Sequence, residues 1–342
     1  MLHPLLFILI SLASAFTLAP PVWAGESGQP AQRERIAQGG AASAKPGAAG
    51  RATPLGAGTH TLKLSHQGQS RKYLVHVPPG YKPAVPTPLV LAFHGGGGHA
   101  EFMADEARYG LIGKSDREGF VVVFPNGYSK FPGGRFATWN AGGCCGDARD
   151  RAVDEVGFVR AVVAQVKLQV NIDSARIFAT GMSNGGMMAH RLACEAPDVF
   201  RAVASVAGTD ATASCAPSRP VSVLHIHARD DTHVLFNGGA GKDAFRDRSK
   251  VMDFVSVPDT MARWVKRDQC NPTPRHVLDK PGAYCEAYPG CANGVSVQFC
   301  VTEDGGHSWP GAKTVRRGKE GASQALDAND VIWDFFQSAA SR

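Results

Sequence analysis

A serine, a pair of aspartates and a histidine follow one another in an order that suits nucleophilic catalysis: Ser183, Asp230–Asp231 and His307. Ser183 lies in a Gly-x-Ser-x-Gly segment, between an apolar strand-like run and a helix-forming segment. This strand–turn–helix context is typical of a nucleophile elbow. The alternative is a tight strand-to-helix connection in which the serine has no catalytic role. We predict that Ser183 is the nucleophile, because its partner motifs are present in the required order.

The glycines beside Ser183 have a physical purpose in such a turn. A side chain at Gly181 or Gly185 would collide with the neighbouring strand and helix, and the turn would hold the serine in a strained backbone conformation. The hydroxyl would then project from the carboxyl end of a strand. The helix that follows would direct its first N–H groups toward developing negative charge.

A serine hydroxyl is a poor nucleophile near neutral pH and needs a base. His307 is the candidate, because glycines and a proline mark its surroundings as a loop directly after a strand; a simple surface histidine is the alternative. The imidazole in turn needs a carboxylate that holds one tautomer. Asp230 and Asp231 both follow a strand, and one of them could instead be a turn residue.

The oxyanion of a tetrahedral intermediate needs backbone donors. The N–H of Asn184, directly after the serine, is one candidate. Gly95 or Gly96 is the other, in a glycine-rich segment that begins at His94 after a buried strand. A merely flexible glycine loop is the alternative.

Three aromatic residues, Trp139, Trp309 and Phe236, are candidate pocket walls, although ordinary core positions are an equal alternative. His225, His227, His233 and the two aspartates could suggest a metal cluster, since His225 and His227 would share one face of a strand, but we favour a core or supporting role. The chemistry needs neither a metal nor another cofactor. Its expected partner is an ester substrate.

The elements that position these residues alternate between strands and helices. Continuous apolar runs at Pro88 to Phe93 and at Phe120 to Phe124 predict central strands covered on both faces. Two further strands, at 59–66 and 71–77, are predicted to form an edge hairpin, and others are predicted at 177–180, 202–206, 221–226, near 277 and at 295–301. Helices are predicted at 101–114, from 154 onward, and at 184–195, 258–267 and 325–338. The alternation predicts the α/β class, with a mostly parallel sheet, helices on both faces and the site at the carboxyl ends of the strands.

The composition sets further limits on a chain of 342 residues with a formal charge of +6. No basic run interleaved with aromatics is present, so nucleic-acid binding is not expected. Residues 1–24 are predicted to be a signal peptide, which implies export to the periplasm or the medium and no membrane anchor after cleavage. Residues 25–58 are predicted to be a disordered tether rich in Gly, Ala and Pro, and residues 59–342 the catalytic domain. No pattern indicates an oligomeric state.

The cysteines fit an oxidising compartment. Cys144 and Cys145 are expected to have separate partners, because a bridge between neighbours would be strained. The last four lie close together and are expected to staple the region before His307. Their spacing is not that of a zinc site. The eight residues are Cys144, Cys145, Cys194, Cys215, Cys270, Cys285, Cys291 and Cys300.

Together these motifs resemble one family, the secreted polyhydroxyalkanoate depolymerase-like and feruloyl esterase-like enzymes of the α/β-hydrolase fold. The matching segments are 94–97, 138–140, 143–146, 153–158, 181–186, 227–239 and 306–311. In the family's His-Gly-x-x-Asp segment the catalytic aspartate falls on Asp231, which decides between the two candidates. Ala228 and Leu235-Phe236 depart from the family's glycine and Pro-Tyr, so the loop with Asp231 is expected to differ in shape. Met182 and Gly306 stand where tannase-like feruloyl esterases have a cysteine pair beside the serine and the histidine, so that family is disfavoured.

The resemblance implies an exported serine esterase that forms an acyl-enzyme. Its first-ranked substrate is polyhydroxyalkanoate (hydroxybutyrate) polyester or its oligomers, and the alternative is a feruloyl, cinnamoyl or acetylxylan ester of plant polysaccharide. The lack of an appended polymer-binding domain weakens the case for solid polyester. An acyltransferase and a non-catalytic binding protein on a hydrolase fold are further alternatives.

Overall fold

The computed structural model describes residues 53–244, 253–315 and 321–341. The predicted signal peptide and most of the predicted tether lie outside these residues. Leu55 contacts the folded domain, since its N–H donates to the carbonyl of Gln169 at 3.1 Å. Contacts of the domain therefore begin a few residues before the boundary at residue 59, which itself stays a prediction.

The strands and helices of the described residues alternate along most of the chain, as predicted. The strands are β1 (Gly58–His66), β2 (Gln69–Val77), β3 (Thr87–Phe93), β4 (Val121–Pro125), β5 (Ile172–Met182), β6 (Ala202–Val206), β7 (Ser222–Ala228), β8 (Arg275–Lys280), β9 (Ala283–Tyr288) and β10 (Val297–Thr302). The helices are α1 (Ala100–Met103), α2 (Glu106–Tyr109), α3 (Leu111–Glu118), α4 (Gly146–Asp150), α5 (Glu155–Lys167), α6 (Asn184–Glu195), α7 (Val257–Arg267) and α8 (Ala328–Ala340).

One ten-stranded sheet joins these strands in the order β1-β2-β4-β3-β5-β6-β7-β10-β9-β8. The six central strands of this order, β4, β3, β5, β6, β7 and β10, are mutually parallel. The pairs at both ends of the sheet are antiparallel, including the predicted edge hairpin of β1 and β2. The predicted mostly parallel sheet is therefore confirmed.

Both faces of the sheet are covered, which explains the continuous apolar runs. In β3, Leu91 belongs to the core shared with α5, α6 and α7, whereas its neighbour Val90 belongs to the core shared with α1 to α3 and α8. Successive side chains of a strand point to opposite faces, so a strand buried on both sides has mostly apolar residues on both faces. Burial of each large apolar side chain contributes about 1.5–3 kcal/mol.

The single helix predicted at 101–114 is three short helices. Asp105 begins α2, because its side chain accepts hydrogen bonds from the N–H groups of Ala107 and Arg108. Gly110, at φ 62°, ends α2 and precedes α3. The left-handed backbone at Gly110 breaks the helical path, and glycine adopts it at little cost.

A buried ion pair fastens the long segment after β4 to the sheet. Arg71 of β2 donates to Glu155 Oε2 at 2.7 Å, and both side chains are buried. The other oxygen of Glu155 accepts from the N–H of Tyr128 at 3.2 Å. The Arg71 guanidinium also lies 4.0 Å from the ring centre of Phe158. These contacts hold one end of the segment that leads to Trp139.

The cysteine pairing differs from the prediction at one place. Cys144 is bonded to Cys145, so the expectation of separate partners was wrong. The remaining six cysteines pair among themselves and leave these neighbours to each other. The pairs are Cys194–Cys215, Cys270–Cys291 and Cys285–Cys300, of which the last two join the final four cysteines.

Among the residues that the structure describes, no helix combines the length and the apolar character needed to cross a membrane.

Candidate active site

Ser183 lies at the sharp turn between β5 and α6. Its backbone has φ 56° and ψ −123°, a conformation that is rare for a residue with a side chain. A Cβ at Gly185 would lie 2.1 Å from the carbonyl oxygen of Phe93, and a Cβ at Gly181 would lie 2.5 Å from the backbone of Gly185. Both glycines are therefore required by close packing, as the sequence predicted.

The carboxyl ends of β7 and β10 bring the predicted acid and base together. These strands are parallel neighbours, so the loops that follow them meet at one edge of the sheet. His307 Nδ1 donates to Asp231 Oδ2 at 2.7 Å. Asp231 Oδ1 accepts from the N–H groups of His233 at 2.7 Å and Val234 at 3.0 Å. The neutral imidazole thus keeps Nε2 unprotonated and able to accept a proton.

The charge of Asp231 follows from its surroundings. Burial alone would raise the pKa of its carboxyl, but the positive charge of protonated His307 and the hydrogen bonds from His227 and His307 hold that pKa well below its ordinary value. The carboxylate is therefore ionised wherever the protein is folded near neutral pH. An ionised acceptor holds the His307 ring in the Nδ1–H tautomer.

The neighbouring aspartate has a different contact. Asp230 Oδ1 accepts from the N–H of Gly306 at 2.8 Å, so it supports the loop that holds His307 without touching the ring. The geometry therefore favours Asp231 as the partner of His307. Asp230 is a loop-stabilising residue.

The glycine segment after β3 is fixed by its histidine. His94 Nδ1 donates to the carbonyl of Gly95 at 2.8 Å, while its Nε2 accepts from the N–H of Gly127 at 3.0 Å. Burial lowers the pKa of His94 to about 4, so the ring is neutral. The N–H groups of Gly97 and Gly98 are bonded to other carbonyls at 2.8 and 3.0 Å. This leaves the two predicted donors, Gly95 and Gly96.

One cleft of about 480 Å³ is lined by predicted residues of the elbow, of the glycine segment after β3 and of the loop that holds His307. Gly95 approaches Ser183 closely, since a Cβ there would lie 3.4 Å from the serine Cβ. The predicted residues that line the cleft are Gly95, Gly96, Ser183, Asn184, His307 and Trp309. The sequence analysis considered His233 only for a metal cluster, and it lines the cleft too. It did not identify the further lining residues Phe102, Arg108, Tyr109, Met187 and Lys242. Met187 was recognisable in principle, because it lies one helical turn after Ser183.

Two of the three predicted pocket walls lie elsewhere. Trp139 is fully buried beneath the cleft, where its Nε1 donates to the carbonyl of His94 at 2.9 Å. Phe236 lines a different cavity, beside Val257 of α7. Both are buried core aromatics, which was the alternative to a role as pocket walls. Trp309 does line the cleft, with its ring edge-on to Tyr109 at 5.5 Å.

His233 adds a second imidazole beside His307, and the two rings are stacked at 4.4 Å. With Asp231 they form a group whose ligand atoms lie within 4.8 Å of one another, which is close enough for a metal ion. However, both oxygens of Asp231 already accept hydrogen bonds. The arrangement fits an oriented carboxylate–imidazole pair better than a metal centre.

Comparison with known proteins decides the family. Residues 71–252, more than half of the chain, match the family described as esterase PHB depolymerase. The chain belongs to this esterase family. The esterase is 32% identical over 257 residues to "Putative esterase NocK" of Nocardia uniformis subsp. tsuyamanensis. The aligned residues cover 71% of this chain and 72% of that relative. It is 30% identical over 246 residues to "Feruloyl esterase B" of Piromyces equi, which covers 70% of the chain but only 42% of the relative's length.

A solved structure supports the fold of the esterase. The acetyl xylan esterase from Aspergillus awamori aligns with a TM-score of 0.50 and 14% identity, over 82% of this chain and 99% of the other. At that identity the likeness concerns the fold alone, which is the predicted α/β-hydrolase fold. Family and relatives together make the protein a carboxylic ester hydrolase.

Proposed function

We propose that the esterase hydrolyses its substrate through a covalent acyl-enzyme, with Ser183 as nucleophile, His307 as base and Asp231 as the orienting carboxylate. One observation carries the proposal: Ser183 and His307 line the same cleft, and His307 is hydrogen-bonded to the buried carboxylate of Asp231. Three residues from three distant parts of the chain converge there. A serine, an aspartate and a histidine in this order on this fold are the parts that acyl transfer needs.

In the first half of the reaction, Ser183 Oγ attacks the ester carbonyl carbon while His307 Nε2 takes the hydroxyl proton. The positive charge that develops on His307 is stabilised by ionised Asp231. The oxyanion forms beside the N–H of Asn184, at the N-terminus of α6, and beside those of Gly95 and Gly96. His307 then gives its proton to the leaving alcohol. In the second half, water replaces the alcohol and His307 is again the base.

The first-ranked substrate is a hydroxybutyrate oligomer. The family match supports it, as do Arg108 and Lys242, which line the cleft and could bind the free carboxylate at the end of such an oligomer. The second candidate is a feruloyl or acetylxylan ester. It is favoured by relatives named feruloyl esterase B and feruloyl esterase C, the second of them from Emericella nidulans at 28% identity over 281 residues.

Export from the cytoplasm is part of the proposal. Four disulfides within the described residues support it, because such bonds persist in oxidising compartments. The predicted signal peptide at residues 1–24 agrees with it.

The test compares hydrolysis of a hydroxybutyrate trimer, methyl ferulate, acetylated xylan and p-nitrophenyl butyrate by the wild type and Ser183→Ala. The matched control is Ser174→Ala, an exposed serine on the same strand. Ser183→Ala is expected to fold normally and lose turnover of every substrate, while the control retains it. Turnover by Ser183→Ala would contradict the mechanism. A preference for ferulate or acetylated xylan over the trimer would replace the first-ranked substrate.

A further inference from the structure

A row of buried histidines extends from Asp231 of the candidate active site into the core. His227 and His225 alternate along β7 and share one face, and His190 of α6 lies beyond them. His225 Nε2 is 3.0 Å from His227 Nδ1, and His190 Nε2 is 3.4 Å from His225 Nδ1. All three side chains are at most 1% exposed. Three polar rings in a core cost free energy unless they bond to one another or to neighbours.

The two ends of this row determine the direction of every hydrogen bond in it. At the far end, Trp264 Nε1 is 2.9 Å from His190 Nδ1, and an indole N–H can only donate. His190 therefore accepts at Nδ1 and, as a neutral ring, carries its proton on Nε2. The same reasoning passes along the row, so that His225 and His227 also carry their protons on Nε2.

The near end agrees with this direction independently. His227 Nε2 lies 2.8 Å from the carbonyl oxygen of Val234 and 3.3 Å from Asp231 Oδ2, and both groups can only accept. The row thus begins at a group that only donates and ends at groups that only accept. Neutral rings are required, and burial lowers the pKa of His190 to about 4 and that of His225 well below its ordinary value.

We propose that His227 is a positioning residue for the reaction, and that His225, His190 and Trp264 hold it in the tautomer whose Nε2–H faces the Val234 carbonyl and Asp231. The inference rests on the proposed function of Asp231 and His307. Asp231 Oδ1 is held by two backbone N–H groups, but Oδ2 must face His307. The His227 Nε2–H that donates to the Val234 carbonyl at 2.8 Å also faces Oδ2 at 3.3 Å. His227 therefore holds both the oxygen that orients the base and residue 234, whose own N–H donates to Oδ1.

The charged groups around the row do not replace this role. Asp210, the carboxylate nearest to His190, accepts from Arg267 at 2.7 Å and lies 3.6 Å from Arg263. Its charge is therefore balanced by two arginines. The ring of Phe236, edge-on to His227 at 6.1 Å, adds no polar group. Among the described side chains, His227 alone joins the row to Asp231.

The experiment measures kcat and KM for p-nitrophenyl butyrate with four variants and a Ser183→Ala blank. His227→Leu removes the donor and is expected to lower kcat about ten- to hundredfold, with KM changed less than about twofold. His227→Gln places an amide N–H near the position of Nε2 and is expected to restore most of the rate. Trp264→Phe releases the tautomers of the row and is expected to lower kcat about two- to tenfold.

The matched control is Trp333→Phe. Trp333 is a buried tryptophan of the opposite core, and its Nε1 donates to Glu118 at 3.1 Å. It also loses an indole hydrogen bond, but it lies outside the row, so its kcat should stay at the wild-type value. Circular dichroism and thermal melts establish that each variant is folded. If His227→Leu does not fold, the comparison of Trp264→Phe with Trp333→Phe decides.

Three results would overturn the proposal: a folded His227→Leu with wild-type kcat, a folded His227→Gln as slow as the leucine variant, or equal losses in both tryptophan variants. Turnover by Ser183→Ala has a different meaning. It would refute the proposed function itself, whatever the histidine variants do.

Discussion

The side-chain amide of Asn184 is hydrogen-bonded at both of its polar atoms to the backbone of Trp139. Oδ1 accepts from the Trp139 N–H at 2.7 Å, and Nδ2 donates to the Trp139 carbonyl at 3.0 Å. The Trp139 indole in turn donates to His94. One tryptophan therefore joins the residue after Ser183 to the glycine segment that follows β3. The two proposed halves of the oxyanion site are held at a fixed distance by this contact.

Replacing Asn184 by leucine removes both of these hydrogen bonds. The Trp139 carbonyl keeps the hydrogen bond from the N–H of Cys145 at 3.0 Å. Because the backbone N–H of Trp139 would be left buried and unsatisfied, we expect the free energy of unfolding to fall by about 1 to 3 kcal/mol. Urea unfolding followed by circular dichroism measures the change. Asn237→Leu, at an exposed position, is the control and should cost less than about 0.5 kcal/mol. Equal costs in the two variants would show that the Trp139 contact does not stabilise the fold.

Asp231→Asn tests the orientation of His307. The amide can present an N–H to Nδ1 and so favour the wrong tautomer, and we expect kcat to fall by about four orders of magnitude. Asp230→Asn is the matched neighbour, since its remaining oxygen can still accept from Gly306. We expect it to lose less than about tenfold. Steady-state kinetics with p-nitrophenyl butyrate distinguishes them, and a larger loss at 230 than at 231 would reverse the assignment.

The disulfides should differ in their contribution to stability according to the loops that they close. Cys285 and Cys300 are 15 residues apart, whereas Cys144 and Cys145 are adjacent. In the chain-entropy model, loss of the first bond costs about 3 kcal/mol and loss of the second costs almost nothing from loop closure. All four residues are buried, so double alanine variants lose similar packing. The melting temperature should fall further for Cys285→Ala/Cys300→Ala, and the reverse order would contradict the model here.

Asp268 should make the protein less stable as the pH rises. Burial raises the pKa of its carboxyl to about 7, against an ordinary value of 3.8. Between these values the unfolded chain releases the proton and the folded chain keeps it, so the stability contributed by the protonated form is lost as pH approaches 7. Asp268→Asn mimics that form. Its gain in melting temperature over the wild type is expected to grow from pH 5 to pH 8.

Asp173→Asn is the control for this pH dependence, because the pKa of the Asp173 carboxyl is lowered in the folded protein whereas that of Asp268 is raised. A hydrogen bond from Arg176 lowers the pKa of the partly exposed Asp173 carboxyl, so its small contribution to stability is present at neutral pH and lost in acid. The asparagine variant should therefore show a small loss at neutral pH that disappears near pH 3. A pH-independent gain in Asp268→Asn would mean that the carboxyl ionises normally in the folded protein.

The parts of the fold that the sequence predicts well are those with a local pattern. The apolar run of β3 and the glycines around Ser183 reflect burial on two faces and a close approach, which neighbouring residues already encode. The break at Gly110 was missed because helical propensity extends across it. The positions of Trp139 and Phe236 depend on packing between distant segments, and aromatic character alone does not separate a core position from a pocket wall. The same holds for Arg108 and Lys242, which no motif marks.

The last helix of the described chain has a consequence for biosynthesis. Phe336 of α8 stacks at 4.6 Å on Phe178, in the strand that leads to Ser183, and Arg201 donates to the carbonyl of Ala339 at 2.9 Å. A chain that is synthesised from its N-terminus has made the serine and its strand about 150 residues before this cover exists. Until then part of one apolar face of the sheet is exposed to water. We therefore expect activity to appear only after α8 has been made, and a nascent chain that stalls earlier to bind chaperones.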